Sequence, residues 1–182
     1  VVAADGTVHP ADVLIVGTGF HVTDVPLAPR VRGRDGRSLA DVWGGSPRTH
    51  LGTTVPGFPN LFLLLGPNTG LGHTSVVLML EAQVEHLAGA LAHLRRTGAA
   101  AVEPTEAAQA AWLAEVERRM AGTVWVAGGC RSWYLDATGR NSTLWPGTTW
   151  SFRRRVAPFR ADDYVPHPMP TSAPATPVPV GA

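Results

Sequence analysis

Residues 58–81 decide the fold and read Phe58-Pro59-Asn60-Leu61-Phe62-Leu63-Leu64-Leu65-Gly66-Pro67-Asn68-Thr69-Gly70-Leu71-Gly72-His73-Thr74-Ser75-Val76-Val77-Leu78-Met79-Leu80-Glu81. The apolar run 61–65 has the length of a strand that is buried on both faces. A glycine-rich turn follows, and Thr74 and Ser75 are good N-cap residues for a helix. The order strand, turn, helix N-terminus is typical of ligand sites at the carboxyl edge of an open α/β sheet. We therefore predict that this stretch forms half of a cofactor site.

The residues after Ser75 predict a long amphipathic helix that ends at Gly98. Its apolar side chains recur at spacings of three and four and form one stripe: Val77, Leu80, Val84, Leu87, Leu91 and Leu94. His86 and His93 are not at the i, i+4 spacing that places two imidazoles around one ion, so we predict no metal site.

Composition limits the class of protein. The chain has 182 residues, which favours one domain with a small appendage. Its 15 basic residues, all arginine, nearly balance 14 acidic ones, so the net charge does not indicate nucleic-acid binding. The single cysteine, Cys130, suits a reducing cytoplasm and has no identifiable histidine partner for catalysis. No signal peptide opens the chain and no apolar run approaches the roughly 20 residues of a membrane span. The first residue is Val1, so we expect a piece of a longer chain.

An earlier strand is predicted at residues 12–16, followed by Gly17-Thr18-Gly19-Phe20. The third glycine of a dinucleotide fingerprint would fall at Val22, and two prolines soon after oppose a helix. This is therefore not a first phosphate-binding turn, although a tight strand exit that touches a cofactor stays open. Residues 30–57 form a long loop, either a surface excursion or a substrate-side loop.

The second half divides into a helix, an aromatic segment and a tail. Thr105 is the predicted N-cap of a helix over residues 106–121. Residues 123–156 are aromatic and β-like, and their tryptophans either pack a small subdomain or line an apolar ligand. Residues 153–155, all arginine, are interpreted as a solvated strand end. Residues 165–182 are proline-rich and predict a flexible tail.

Several segments resemble, in the same order, flavin-dependent monooxygenases of the Baeyer–Villiger and flavin-containing type. They are residues 12–20, 47–52, 57–62, 66–68, 72–75, 130–134, 139–141 and 144–147. The resemblance covers roughly residues 10–165 and points to bacterial members of the family.

The resemblance implies an α/β fold: the C-terminal part of a Rossmann-like, two-domain flavoprotein that binds FAD and NAD(P), with a small α+β extension. Residues 1–100 would complete the FAD-binding domain, residues 101–164 would form the extension of one helix and aromatic β structure, and residues 165–182 a disordered tail. The implied cofactors are FAD and NADPH, and the implied substrates are O2 and a ketone, sulfide or amine. No catalytic residue is assigned, because the arginine that acts beside the flavin in the family would precede Val1. The residues expected to line the flavin ring are Thr18, Gly19, Phe20, Gly66, Pro67, Asn68, Gly72, His73, Thr74 and Ser75.

Two hypotheses follow. In the first, the chain is the C-terminal fragment of an FAD- and NADPH-dependent monooxygenase, inactive without an N-terminal half that carries the glycine-rich nucleotide turns. In the second, it is a non-catalytic remnant or a protein-interaction module. For His73, a hydrogen bond to the flavin and a role as helix cap both stay open.

Overall fold

A computed structural model describes residues 1–129 and 132–169. Its helices are α1 (Leu39–Trp43), α2 (Val76–Thr97), α3 (Glu106–Met120), α4 (Val124–Ala127), α5 (Thr149–Val156) and a 3-10 turn at Ala161–Asp163. Strands β1 (Ala101–Pro104) and β2 (Tyr164–His167) pair antiparallel. Cys130 lies outside the described residues, as do residues 170–182 of the predicted tail. No helix in the described part is both long and apolar enough to cross a membrane.

Helix α2 begins and ends where the sequence predicts. Ser75 is its N-cap, and the Ser75 side chain accepts the N–H of Val77. Gly98 closes the helix in the left-handed conformation, with φ of 70°, and donates its N–H to the carbonyl of Leu94. The start of α3 is also confirmed, because the Thr105 side chain accepts the N–H of Ala108.

Three small hydrophobic cores support the fold. In the first, α2, α3 and α5 pack together through Met79, Ala82, Trp112, Val116, Trp145, Phe152 and Val156. The second lies under the 25–63 loop region and contains Ala28, Leu39, Trp43, Val55 and Phe58. The third joins α2 to the two-stranded sheet through Ala90, Val102 and Tyr164. Residues 25–63 are thus packed around their own core.

Two predicted strands are absent from the described residues. Residues 12–16 form no ladder, and Val13 and Ile15 are 77% and 89% exposed. Residues 61–65 also form no strand: Leu63 donates its N–H to the carbonyl of Thr53, and Leu65 has a φ of 54°. A strand is stable only where its backbone groups pair in a ladder, and no described segment pairs with either run in this way.

The β-rich prediction for residues 123–156 is wrong. The described part of the segment contains helices α4 and α5, and its β pairing is limited to two isolated bridges, Leu135 to Asn141 and Leu144 to Gly70. Thr148 caps α5 by accepting the N–H of Ser151, so the three arginines lie in the last turn of a helix rather than at a strand end. The tail also starts later than predicted, because β2 includes residues 165–167.

Half of the apolar stripe of α2 faces away from the core of this chain, whereas Leu80, Leu87 and Leu94 are partly buried and Leu94 packs against the third core. Val77, Val84 and Leu91 are each about half exposed. The buried face is made instead of Met79, Ala82, Gln83, His86, Ala90 and His93. Packing against α3, α5 and the sheet therefore uses the small and polar side of the helix.

Candidate functional site

The candidate site is a cleft of about 270 Å³ beside the turn that follows residue 65, here called the central cleft. It is lined by Val22, Thr23, Val25, Trp43, Pro47, Leu63, Leu64, Leu65, Gly66, Pro67, Thr69, Gly70, Val76, Ser142 and Thr143. None of these lining side chains is charged. Apolar side chains with a few hydroxyl groups suit an uncharged ring system, whereas a phosphate would need cationic groups or free backbone N–H groups.

Gly66 and Pro67 are the two predicted site residues that line the central cleft. The glycine is required by the protein's own packing, because a Cβ at Gly66 would lie 2.5 Å from the carbonyl oxygen of Gly52. Gly70, which also lines the cleft, is restricted in the same way by the carbonyl oxygen of Thr143 at 2.9 Å. These glycines let backbone segments approach each other closely at the edge of the cleft.

Asn68 lies behind the cleft, is 1% exposed and has a φ of 60°. Its side-chain amide donates to the carbonyls of Asn141 at 2.8 Å and Leu144 at 3.0 Å, and its backbone N–H donates to Ser142. The backbone N–H of Gly70 likewise donates to the carbonyl of Thr143. The structure therefore uses Asn68 to join the turn to the 141–144 loop, and a direct contact between Asn68 and a cofactor stays a prediction.

Gln83 supports the cleft from α2 and was missed by the sequence analysis. Its buried amide donates to the carbonyl of Gly52 and to Thr53, each at 2.9 Å, and accepts the N–H of Leu65 at 2.9 Å. The amide thus stabilises the irregular backbone at Leu65, where a sheet would otherwise have to satisfy the N–H. The sequence pattern that could have identified it is the position of Gln83 on the same helix face as Met79 and Ala82.

The predicted residues Gly72, His73, Thr74 and Ser75 are exposed and lead into α2. The Nε2 atom of His73 lies 3.2 Å from the carbonyl oxygen of Gly147, so Nε2 carries the proton, and Nδ1 accepts from the hydroxyl of Thr74 at 3.2 Å. Ser75, not His73, is the helix cap. Because Val76 lines the cleft, the positive end of α2 lies at its edge.

Thr18, Gly19 and Phe20 are exposed and do not line the cleft, although Val22 and Thr23 shortly after them do. Phe20 stacks on Trp133, with ring centroids 5.4 Å apart. Trp133 is next to Tyr134, which meets Trp125 edge-on at 5.3 Å. The ring of Trp125 in turn faces Gly72. An aromatic group of Trp125, Trp133 and Tyr134 therefore connects the 18–20 and 72–75 segments.

A separate set of buried polar groups lies on the other side of α2. His86 donates from Nδ1 to the carbonyl of Val156 at 2.8 Å, so its Nε2 accepts from the hydroxyl of Tyr164 at 2.7 Å. Burial lowers the pKa of His86 and raises that of Tyr164. His50 packs edge-on against Tyr164, and burial lowers its pKa to about 4, which Asp163 only partly offsets. Burial therefore favours the neutral form of both histidines, and neither of them lines the cleft.

Comparison with known proteins gives consistent matches, although no family model matches the chain. A Baeyer-Villiger monooxygenase of Streptomyces coelicolor is 53% identical over 156 residues, which are 85% of this chain and 30% of the relative. A Baeyer-Villiger monooxygenase of Pseudomonas aeruginosa is 44% identical over 165 residues, or 90% of this chain and 31% of the relative. The chain thus spans about a third of the length of these relatives.

Solved structures agree. Cyclohexanone monooxygenase from Rhodococcus sp. Phi1, bound to NADP+, matches 91% of this chain and 32% of its own with a TM-score of 0.72 and 30% identity. A closed structure of cyclohexanone monooxygenase matches 92% of this chain and 32% of its own with a TM-score of 0.73 and 32% identity. The predicted fold class, part of an α/β flavoprotein, is confirmed. The chain is related to the flavin-dependent monooxygenases of the Baeyer–Villiger type and corresponds to one segment of them.

Proposed function

We propose that this chain is the C-terminal segment of an FAD- and NADPH-dependent monooxygenase that transfers one oxygen atom from O2 to a ketone or to a sulfide or amine heteroatom. The observation that carries the proposal is the 53% identity to a Baeyer-Villiger monooxygenase over 156 residues, which are 85% of this chain. The cytoplasm is the proposed location, because the chain has a single cysteine.

The cleft fits the ring of a flavin better than its diphosphate. Its lining is uncharged and includes the aromatic and apolar side chains of Trp43 and Leu65 together with Thr69 and Ser142. The hydroxyl of Ser142 is buried and has no hydrogen-bond partner among the described residues. When bound there, FAD would supply the redox chemistry that activates O2.

The residues of this chain have defined tasks under this proposal. Leu63, Leu64 and Leu65 present apolar surface to the ring and exclude water from it. The N-terminal end of α2 places its positive dipole beside the cleft, and such a dipole stabilises negative charge by about 0.3–1 kcal/mol. Gln83 and Asn68 hold the backbone around the cleft in place.

The exposed apolar surfaces suggest that another part of the protein packs against this segment. Val77, Val84 and Leu91 on α2 and the apolar residues at 13–16 are exposed. We propose that the nucleotide-binding part of the same monooxygenase covers them, since exposed apolar surface of this extent marks an interaction site. The same observation favours the second candidate, a module that binds another protein without catalysis. Flavin binding by the cleft distinguishes the two.

The first experiment titrates residues 1–182 into lumiflavin, a flavin ring without a diphosphate, and follows quenching of its fluorescence. We expect measurable binding that is abolished by Val76→Trp, because Val76 lines the cleft and the larger side chain occupies its space. Ala88→Trp, exposed further along the same helix, is the matched control and leaves the affinity unchanged. FAD should not be retained stoichiometrically after desalting, because the lining offers the diphosphate no charged group. Equal binding by both variants would contradict the assignment of the cleft.

The second experiment tests the activity. The matched segment of the Streptomyces coelicolor relative is replaced by residues 10–165 of this chain, and bound flavin and ketone-dependent NADPH oxidation are measured. We expect stoichiometric flavin and ester or lactone formation. A folded chimera without flavin would refute the proposal and leave the interaction module as the better explanation.

A further inference from the structure

We propose that Arg140 is the residue that positions both sides of the central cleft, an inference that rests on the proposed flavin-binding role of that cleft. Arg140 does not line the cleft. Its partly buried guanidinium donates from Nε to the Ser46 hydroxyl at 3.0 Å and from a terminal nitrogen to Asn68 Oδ1 at 3.3 Å. The other terminal nitrogen donates to the carbonyl of Pro47. One side chain therefore joins the 46–47 loop to the 66–70 turn.

The contact between Arg140 and Asn68 determines the orientation of the Asn68 amide. A guanidinium can only donate, so the oxygen of the Asn68 amide must face it. The amide nitrogen is thereby directed at the carbonyls of Asn141 and Leu144, to which it donates. With the amide reversed, two donors would face each other and two carbonyls would lose their partner. Arg140 thus selects the arrangement that attaches the turn to the 141–144 loop.

Both sides of the cleft depend on these bonds. Pro47 lines one side and accepts from Arg140 directly. On the other side, Gly66, Pro67 and Thr69 flank Asn68, and Ser142 accepts the backbone N–H of Asn68. Asp136 supports the arginine, because its carboxylate accepts from Ser46 at 2.7 Å and from the backbone N–H of Arg140 at 3.1 Å. The width of the cleft is consequently set by a group that no ligand touches.

The planar fork of arginine is essential to this role. Three nitrogens reach Ser46, Pro47 and Asn68 at once, whereas the single ammonium of a lysine is a point charge on a flexible stem. Arg140→Lys keeps the positive charge beside Asp136 but loses the simultaneous contacts. It therefore separates positioning from charge.

The test measures lumiflavin affinity and amide hydrogen exchange on residues 1–182 carrying Arg140→Lys. We expect the dissociation constant for lumiflavin to rise about tenfold, the equivalent of one lost hydrogen bond to a charged group. Exchange at the amides of Asn68 and Gly70, which donate to the 142–143 backbone, should rise by a similar factor. Wild-type values in the variant for both measurements would overturn the inference.

The control is Arg155→Lys, which changes an arginine bonded to Glu115 and the Ser151 carbonyl away from the cleft. It should lower the melting temperature about as much as Arg140→Lys while leaving lumiflavin affinity and the exchange at Asn68 unchanged. If the Arg140→Lys variant has a much lower melting temperature than the control, a second variant, Asn68→Asp, replaces it in the test. Asn68→Asp keeps the oxygen that accepts from Arg140 but loses the amide nitrogen that donates to Asn141 and Leu144. Unchanged hydrogen exchange at Gly70 in this variant would overturn the inference. Failure of the wild-type chain to bind lumiflavin would count against the proposed function, while the exchange data still decide the role of Arg140.

Discussion

The two faces of α2 differ in a way that is opposite to an ordinary surface helix. The face buried in this chain carries Met79, Ala82, Gln83 and His86, and the apolar face with Val77, Val84 and Leu91 is exposed. In a surface helix the apolar stripe normally packs on the core. The difference shows that Met79, together with small and hydrogen-bonding residues, packs α2 against α3, α5 and the sheet. This leaves Val77, Val84 and Leu91 available for contact with other protein surface.

The largest expected effect tests which face is the core. Met79→Ala removes a fully buried side chain between α2, α3 and α5 and should lower the free energy of unfolding by about 2–5 kcal/mol. The matched change Val84→Ala on the exposed face should cost less than about 0.5 kcal/mol. Urea denaturation measures both, and the reverse ranking would show that the stripe is the true core face.

The buried histidines His50 and His86 predict that the folded chain loses stability in acid. The pKa of His50 is lowered to about 4 in the folded chain from 6.5, so the native state binds fewer protons than the unfolded one over this interval. The stability present above pH 6.5 should fall by about 3 kcal/mol as the pH drops through 4, and His86, whose pKa is also lowered, adds to the loss. His50→Phe, which preserves a ring against Tyr164, should flatten the pH dependence of urea denaturation; an unchanged slope would refute this assignment.

Loss of the Gln83 amide should have an intermediate effect. Gln83→Met keeps the volume of the side chain but leaves the N–H of Leu65 and the carbonyl of Gly52 without their partner. Unsatisfied groups of this kind cost about 1–3 kcal/mol. Urea denaturation gives the magnitude, and hydrogen exchange at Leu65 should rise beyond that at the α3 amides. A uniform increase throughout the chain would indicate general destabilisation instead of a local role beside the cleft.

The smallest change in stability is expected on the exposed face. Val84→Glu combined with Leu91→Arg should alter the free energy of unfolding by less than about 0.5 kcal/mol, because both side chains are half exposed. The same pair should reduce self-association of the isolated chain, measured by light scattering, because it interrupts the apolar stripe. Unchanged association would mean that residues 13–16 or other surfaces are responsible.

Predictions from the sequence were correct for features that depend on interactions between neighbouring residues. Ser75 and Gly98 bound α2, and Thr105 begins α3, because capping depends on hydrogen bonds within a few residues. The family relationship also followed from ordered motifs, since these are read directly from residue identity. The wrong predictions concern strands at 12–16 and 61–65 and β structure at 123–156, all of which depend on partners distant in sequence.

The sequence by itself determined the boundaries of α2 and α3 and the relationship to flavin monooxygenases. Tertiary structure alone decided which face of α2 is buried, that Asn68 lies behind the cleft, and that Arg140 and Gln83 hold its sides. The reason is that capping and composition are properties of neighbouring residues, whereas burial and side-chain hydrogen bonding depend on which distant segments meet. Asn68 and Arg140 are 72 positions apart, and no local pattern predicts that they share a hydrogen bond.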